Sequence, residues 1–297
     1  MRLTGRNRAT PPGHQLSLPP GAEAPYPARG VGNSRSPRDD GDVTFCIGIR
    51  VDEGIVALAD TQIVRGHHVS TKFKLSELHI GDRSALIMTS GLRSVRDKVV
   101  ARLEDAVADG SVECDRMHQL ASEFGALLRI VRAEDEESLV AGGLTFNLHA
   151  ILAGRLPGDQ EPVVLEVFPE GNWVDITTDA PYFVIGRSFY GKPILDRLLR
   201  HDTPIDEALS LAYLAFDATR TSVTDVDFPI DVAVMGVAET SFRKARFTAD
   251  DLAQARDHWQ TRLSEVVREL PNQWAVGLLP THLAPSTRPA PSATHHT

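Results

Sequence analysis

Strands and helices come in blocks along this chain, and that ordering constrains the fold more than any other feature. β-rich runs come first: Thr44–Val51, a turn at Asp52-Glu53-Gly54, the returning run Ile55–Asp60, then His68–Lys74 and Ser84–Met88. Two stretches of helical spacing follow, Leu92–Val107 (Val95, Val99, Leu103, Val107) and about Val112–Arg132 (Met117, Leu120, Phe124, Leu127, Leu128, Val131). A second strand block covers Leu144–Leu152, Val163–Phe168, Trp173–Thr177 and Tyr182–Ile185. Helices Lys192–Arg200 and Pro204–Thr219 come next, then strands Ile230–Val237 and Phe242–Phe247 and an amphipathic helix, Ala249–Leu270. A doubly wound parallel sheet needs a helix between consecutive strands, and that alternation is missing. The predicted fold class is therefore α+β: two stacked antiparallel sheets flanked by helices on both outer faces.

Proline marks the ends of the folded part. Seven of the 19 prolines fall in residues 1–43 and four in 280–297. The first 43 residues also carry six arginines, six glycines and no apolar periodicity, so ordering them is not offset by burial. The expected organisation is a disordered leader (1–43), one folded domain (44–279) and a disordered tail (280–297). The leader has no continuous apolar stretch of the secretory kind.

Charge and cysteine content narrow the function. The net charge of −9 leaves no global attraction to nucleic acid or to an anionic membrane, and no apolar run approaches the ~20 residues that span a bilayer. Two cysteines, Cys46 and Cys114, exclude a disulfide framework and a CxxC-based zinc site, and a reducing cytoplasm is the expected compartment. Phosphate-loop, dinucleotide-binding, HExxH and GxSxG signatures are all missing, so no metal or organic cofactor is expected. His67 and His68 are neighbours at a strand start, where side chains point to opposite faces, and are read as solvated or turn-capping residues.

What remains is a constellation in the first strands: Thr44 at the start of the first, Asp60 at the end of the second and Lys74 at the end of the third. Such positions converge on one edge of stacked antiparallel strands. A threonine hydroxyl is a weak nucleophile that needs a base. A free α-amine on the same residue, with an unperturbed pKa of about 7.7–8.0, can be that base. A nearby lysine cation biases the amine toward its neutral form, and an aspartate holds the lysine in place. The structural alternative is that threonine is a good strand former and that Lys–Asp pairs are often only structural. Cys46 shares the strand face of Thr44 but carries no α-amine, and is read as a small core residue.

Thr44-Phe-Cys-Ile-Gly-Ile, followed by Gly54-Ile-Val-Ala-Leu-Ala-Asp60, resembles the opening of proteasome β-type subunits, which are N-terminal threonine hydrolases. The chain is more similar still to the bacterial Anbu family of ancestral β-subunit-like peptidases. That likeness is carried by Ile185-Gly-Arg-Ser-Phe-Tyr-Gly-Lys-Pro-Ile-Leu-Asp196, by Asp217-Ala-Thr-Arg-Thr-Ser222 and by Phe228-Pro-Ile-Asp231. The resemblance spans most of 44–270 and implies the four-layer αββα sandwich of N-terminal nucleophile hydrolases. It also implies Thr44 as nucleophile, Asp60 as the aspartate that orients the lysine, and Lys74 as that lysine, with Lys72 as the alternative register. Gly91, in Thr89-Ser90-Gly91, matches the glycine whose N–H lines the oxyanion hole. Ser188, Asp217 and Ser222 are the candidates for the family's supporting Ser–Asp–Ser group, although the proteasomal Ser-Gly-Ser tract is missing; local hydrogen bonding is the alternative role for Ser188 and Ser222.

One departure bears on chemistry. Family members expose the threonine after losing little more than a methionine, whereas 43 residues precede Thr44 here. Either the segment is a cleaved propeptide, or translation starts at Val43, whose codon can be an initiating GTG. The expected function is peptide or amide hydrolysis on a peptide or unfolded-protein substrate, by a homo-oligomer with an ATPase partner left open. The alternatives are a non-peptide amidase and a catalytically silent ring-forming scaffold. Leu195 and Leu199 suit either subunit contacts or the core.

Overall fold

The computed structural model describes residues 44–278 except 66–67 and 72–73. The expected leader, His67, Lys72 and the expected tail lie outside the described residues.

The first hairpin sets the pattern. β1 (Phe45–Val51) turns through Asp52-Glu53 into β2 (Gly54–Asp60), and both strands are almost wholly buried. Gly54 has φ +148°, and a Cβ there would meet the Met235 carbonyl at 2.1 Å, so the turn requires glycine. A short separate pair follows, β3 (Gln62–Arg65) with β4 (His68–Thr71), and then β5 (Leu75–Ile80) and β6 (Arg83–Gly91). Helices α1 (Arg93–Ala108) and α2 (Met117–Ala141) lead to β7 (Leu148–Gly154), β8 (Val163–Val167), β9 (Trp173–Asp175) and β10 (Tyr182–Gly186). Helices α3 (Lys192–Leu198) and α4 (Ile205–Arg220) precede β11 (Ile230–Gly236), β12 (Arg243–Phe247) and α5 (Ala253–Glu269).

The strands form two five-stranded antiparallel sheets, ordered β10-β1-β2-β11-β12 and β5-β6-β7-β8-β9. Strand alternation distributes the apolar residues into three layers. Phe45, Ile47 and Ile49 face α3 and α4, packing with Leu195, Leu211 and Phe216. Cys46, Ala57, Ala59, Met88, Ile151 and Val164 fill the space between the sheets. Ile87, Leu148, Ala150 and Leu152 face α1 and α2, where Val99, Leu103, Leu120 and Phe124 cover them. The result is the expected αββα sandwich, in which each fully buried Ile, Leu or Phe contributes roughly 1.5–3 kcal/mol. Leu195 and Leu199 belong to this core, at 0% and 2% exposure.

Several elements differ from the sequence expectation, β3 and β5 among them, which no expected strand covered. The run His68–Lys74 is not one strand: β4 pairs only with β3, whereas β5 joins the second main sheet, so the chain changes sheets between them. Lys74 therefore stands immediately before β5 and ends no strand. The second helix begins at Met117 and runs to Ala141, later and longer than its apolar period. Its start is capped twice: locally by Gln119, whose side-chain oxygen accepts the Arg116 N–H at 3.0 Å, and from 42 residues away by Asp159, whose carboxylate accepts the Met117 N–H at 3.0 Å. Its extension beyond Val131, roughly three turns, is mostly solvated and stitched to α1 by Lys98–Asp135 and Arg102–Glu134 ion pairs.

Candidate active site

Four strand ends bring the candidate residues together. Thr44 directly precedes β1, Asp60 closes β2, Lys74 directly precedes β5 and Gly91 closes β6. β1 and β2 are a hairpin pair, so Thr44 and Asp60 meet at its open end; Lys74 arrives from the other sheet across the interface.

The contacts are short and mutual. The Thr44 hydroxyl donates to Asp60 Oδ1 at 2.7 Å, and Lys74 Nζ donates to Thr44 Oγ1 at 2.7 Å. Lys74 Nζ also donates to both Asp60 oxygens at 2.9 Å, so the three donors of its ammonium meet three acceptors. Asp60 Oδ1 takes a further bond from the Phe45 N–H at 2.8 Å, which ties the carboxylate to the residue after the threonine. The group is enclosed: Thr44 is 1% exposed, Asp60 0% and Lys74 6%. The Thr44 hydroxyl is thus buried between its carboxylate and ammonium partners. Burial pushes the Asp60 carboxyl upward, opposed by the Lys74 charge and by the Phe45 and Thr44 hydrogen bonds.

Cys46 sits 3.8 Å from Thr44 Oγ1 and 4.0 Å from the Thr89 carbonyl. Burial pushes its thiol up to about 12, so it stays protonated and packs as a small core residue. Its contact with Thr89 brings the end of β6 against the end of β1. There Gly91 has φ +132°, and a Cβ would lie 2.2 Å from the Asn147 carbonyl. Glycine is required at this position whatever its chemistry.

A second glycine carries a role that sequence reasoning did not assign. Gly186 pairs with Phe45 and has φ +87°; a Cβ would fall 1.9 Å from the Thr44 carbonyl oxygen. That same oxygen accepts the Arg187 N–H at 2.8 Å. The Ile185-Gly186-Arg187 tract thus clamps the Thr44 backbone, and the only sequence trace of this was a glycine inside a distinctive block.

Ser188, Asp217 and Ser222 are placed differently. Ser188 opens the turn into α3, its carbonyl accepting the Lys192 N–H at 3.2 Å. Asp217 is paired with Arg220 at 2.9 Å, and that guanidinium lies over the Phe228 ring. The Ser222 hydroxyl donates to the Ala218 carbonyl at 2.8 Å. Among the described residues, no side-chain hydrogen bond links these three to Thr44 or to one another. No metal-binding group of His, Cys, Asp and Glu occurs among the described residues, and no described helix is long and apolar enough to cross a membrane.

Comparison with known proteins agrees with this architecture. An Anbu (ancestral beta-subunit) structure from Yersinia bercovieri superposes with a TM-score of 0.71 at 29% identity, covering 77% of this chain and 98% of that one. Anbu from Hyphomicrobium sp. strain MC1 gives 0.70 at 28% identity, over 77% and 99%. The helical assembly of the Anbu complex from Pseudomonas aeruginosa gives 0.73 at 26% identity, over 81% and 100%. A search of curated proteins returned no match. A family model described as "Proteasome subunit" matches residues 43–235, about two thirds of the sequence. With its two antiparallel sheets between helix layers, this chain belongs to the proteasome subunit family.

Proposed function

We propose that the protein is an N-terminal threonine hydrolase that cleaves peptide bonds, with Thr44 as nucleophile. The observation that carries this reading is the Lys74 ammonium, held 2.7 Å from Thr44 Oγ1 and 2.9 Å from both Asp60 oxygens in a buried site. A lysine in that position stabilises negative charge on Oγ as it attacks a carbonyl. Its cation also favours the neutral form of an amine on the same threonine. In the reaction, Thr44 Oγ adds to the amide carbonyl and its proton passes to the Thr44 α-amine. The amine returns it to the leaving nitrogen, and water then hydrolyses the ester. The Gly91 N–H is assigned to the oxyanion, a contribution typically worth ~10²–10³ in kcat.

The α-amine exists only once the bond before Thr44 is absent. While Val43 is attached, the Thr44 nitrogen is a planar amide whose lone pair is delocalised. Residues 1–43 are therefore assigned as a segment that is removed or not translated, and 44–279 as the hydrolase domain. Likeness to an Anbu structure described as a helical assembly supports a homo-oligomer.

The test compares the full chain with one that starts Met-Thr44 and loses its methionine. Intact mass and N-terminal sequencing define each product, and a fluorogenic peptide panel with a covalent threonine-directed probe reads activity. The expected result is turnover and Thr44 labelling only where Thr44 is N-terminal. Labelling without peptide turnover favours a non-peptide amidase, no labelling favours a silent scaffold, and turnover with residues 1–43 still attached overturns the α-amine mechanism.

A further inference from the structure

The layer between the two sheets is apolar along most of its length and turns polar at the end where Thr44 lies. A Cβ added to Gly48 would meet Ile151, Val164 and Met88, which fixes those four residues opposite one another. Side chains on one face of a strand recur every second residue. One step toward the Thr44 end replaces Gly48, Met88 and Ile151 by Cys46, Ser90 and His149, and Glu166, the ladder partner of Ile151, reaches diagonally to His149. Cys46 anchors this step beside the nucleophile, 3.8 Å from Thr44 Oγ1 and 4.0 Å from the Thr89 carbonyl. Ser90 faces His149 directly in the ladder, His149 Nδ1 lies 3.3 Å from Glu166 Oε1, and the Phe168 ring stands edge-on to the imidazole.

Glu166 differs from the other inward carboxylates in its balance of charge. Asp60 is held by Lys74, Glu77 by Lys244 and Asp231 by Arg246. Among the described residues Glu166 has no Lys or Arg partner; its ion-pair partner is His149, which is charged only when protonated. The Glu166 side chain is 15% exposed and that of His149 35%, so both reach solvent. A mostly buried carboxylate without a fixed cation is a site that a cation from outside can fill.

We propose that Glu166, oriented by His149, forms a subsite that binds a positively charged side chain of the peptide being cleaved. This deepens the reading of Thr44 as the nucleophile of a peptide hydrolase and rests on it. β8 lies two strand spacings of about 4.8 Å from β6 in the second sheet, and stacked sheets lie about 10 Å apart, so the gap between Glu166 and Thr44 is on the order of 10–15 Å. An extended peptide advances roughly 3.3–3.6 Å per residue, so an arginine or lysine one to three residues from the scissile bond spans it.

The test uses peptide pairs that differ only in arginine against citrulline, its neutral isostere, at each position flanking the cleaved bond. Turnover is measured on the Thr44-initiated chain. Binding is measured by fluorescence anisotropy on the full chain and on the Thr44→Ala variant of the Thr44-initiated chain. The expected result is a preference for arginine of about tenfold at one position, lost in Glu166→Gln and partly kept in Glu166→Asp, with citrulline peptides unaffected. No arginine preference in wild type, or the same preference in Glu166→Gln with an unchanged melting temperature, overturns the subsite. Glu166-dependent binding without turnover of any peptide keeps the subsite and overturns the peptidase reading. Turnover with equal binding of both members of each pair does the reverse.

Discussion

Two sets of polar residues suggested by the sequence ended in opposite situations. Thr44, Asp60 and Lys74 are bonded to one another across 14 to 30 residues of chain, from strand ends that belong to both sheets. Asp217 and Ser222 are satisfied by Arg220 and by the Ala218 carbonyl, three and four residues away within one helix end. Helical geometry supplies partners of the second kind to almost any serine or aspartate. Partners of the first kind exist only if the whole sandwich assembles, and they leave a buried ammonium on a hydroxyl, which stability alone does not require. Long-range commitment, rather than the presence of polar residues, separates the candidate site from the helix terminus.

Substitutions test that contrast, and the largest effect is expected at the nucleophile. Thr44→Ala abolishes peptide turnover and keeps the melting temperature near wild type, because the Lys74–Asp60 pair persists; Thr44→Ser retains part of the rate. A Thr44→Ala variant that turns over peptides at the wild-type rate removes the threonine from the mechanism. Lys74→Ala comes next, lowering kcat by roughly 10²–10⁴ and stability by about 3–5 kcal/mol, since Asp60 is left buried and unpaired. Pairing it with Asp60→Ala should recover much of the stability and none of the activity, which a double-mutant cycle in urea separates. Lys72→Ala is expected to do far less, and the reverse order would move the lysine by one strand alternation.

Gly186→Ala is expected to act through position. The new Cβ cannot coexist with the Thr44 carbonyl at 1.9 Å, so the threonine backbone must shift. The expected outcome is a fall in kcat of about 10²-fold with secondary structure retained by circular dichroism. At the small end, Ser222→Ala should change stability by no more than about 0.5 kcal/mol and leave kcat within error. A large kcat effect there would reinstate the helix terminus as part of the site.

Much of the fold was legible because it rests on local periodicity. The alternation of Phe45, Ile47 and Ile49 with Cys46 and Gly48, and the helical spacing of Val95, Val99 and Leu103, each describe one face of one element. Both survive folding unchanged. The failures share a cause. The run His68–Lys74 reads as one strand because nothing local says that the chain changes sheets, and part of the cap that starts α2 at Met117 comes from Asp159 in another segment.

The sequence by itself determined the block order of strands and helices, the antiparallel stacking that follows from it, and the identities of Thr44, Asp60 and Lys74 as candidates, to which the family resemblance added Gly91. Residue type and spacing are local properties and need no partner to be read. Only the tertiary structure decided that Lys74 reaches Thr44 from the opposite sheet, that Gly186 clamps the threonine backbone, and that Glu166 has no fixed cation among the described residues. Each of these is a distance between segments far apart in the chain. Such distances exist only after the two sheets have packed, when burial makes an unpaired charge or an added methyl costly enough to matter.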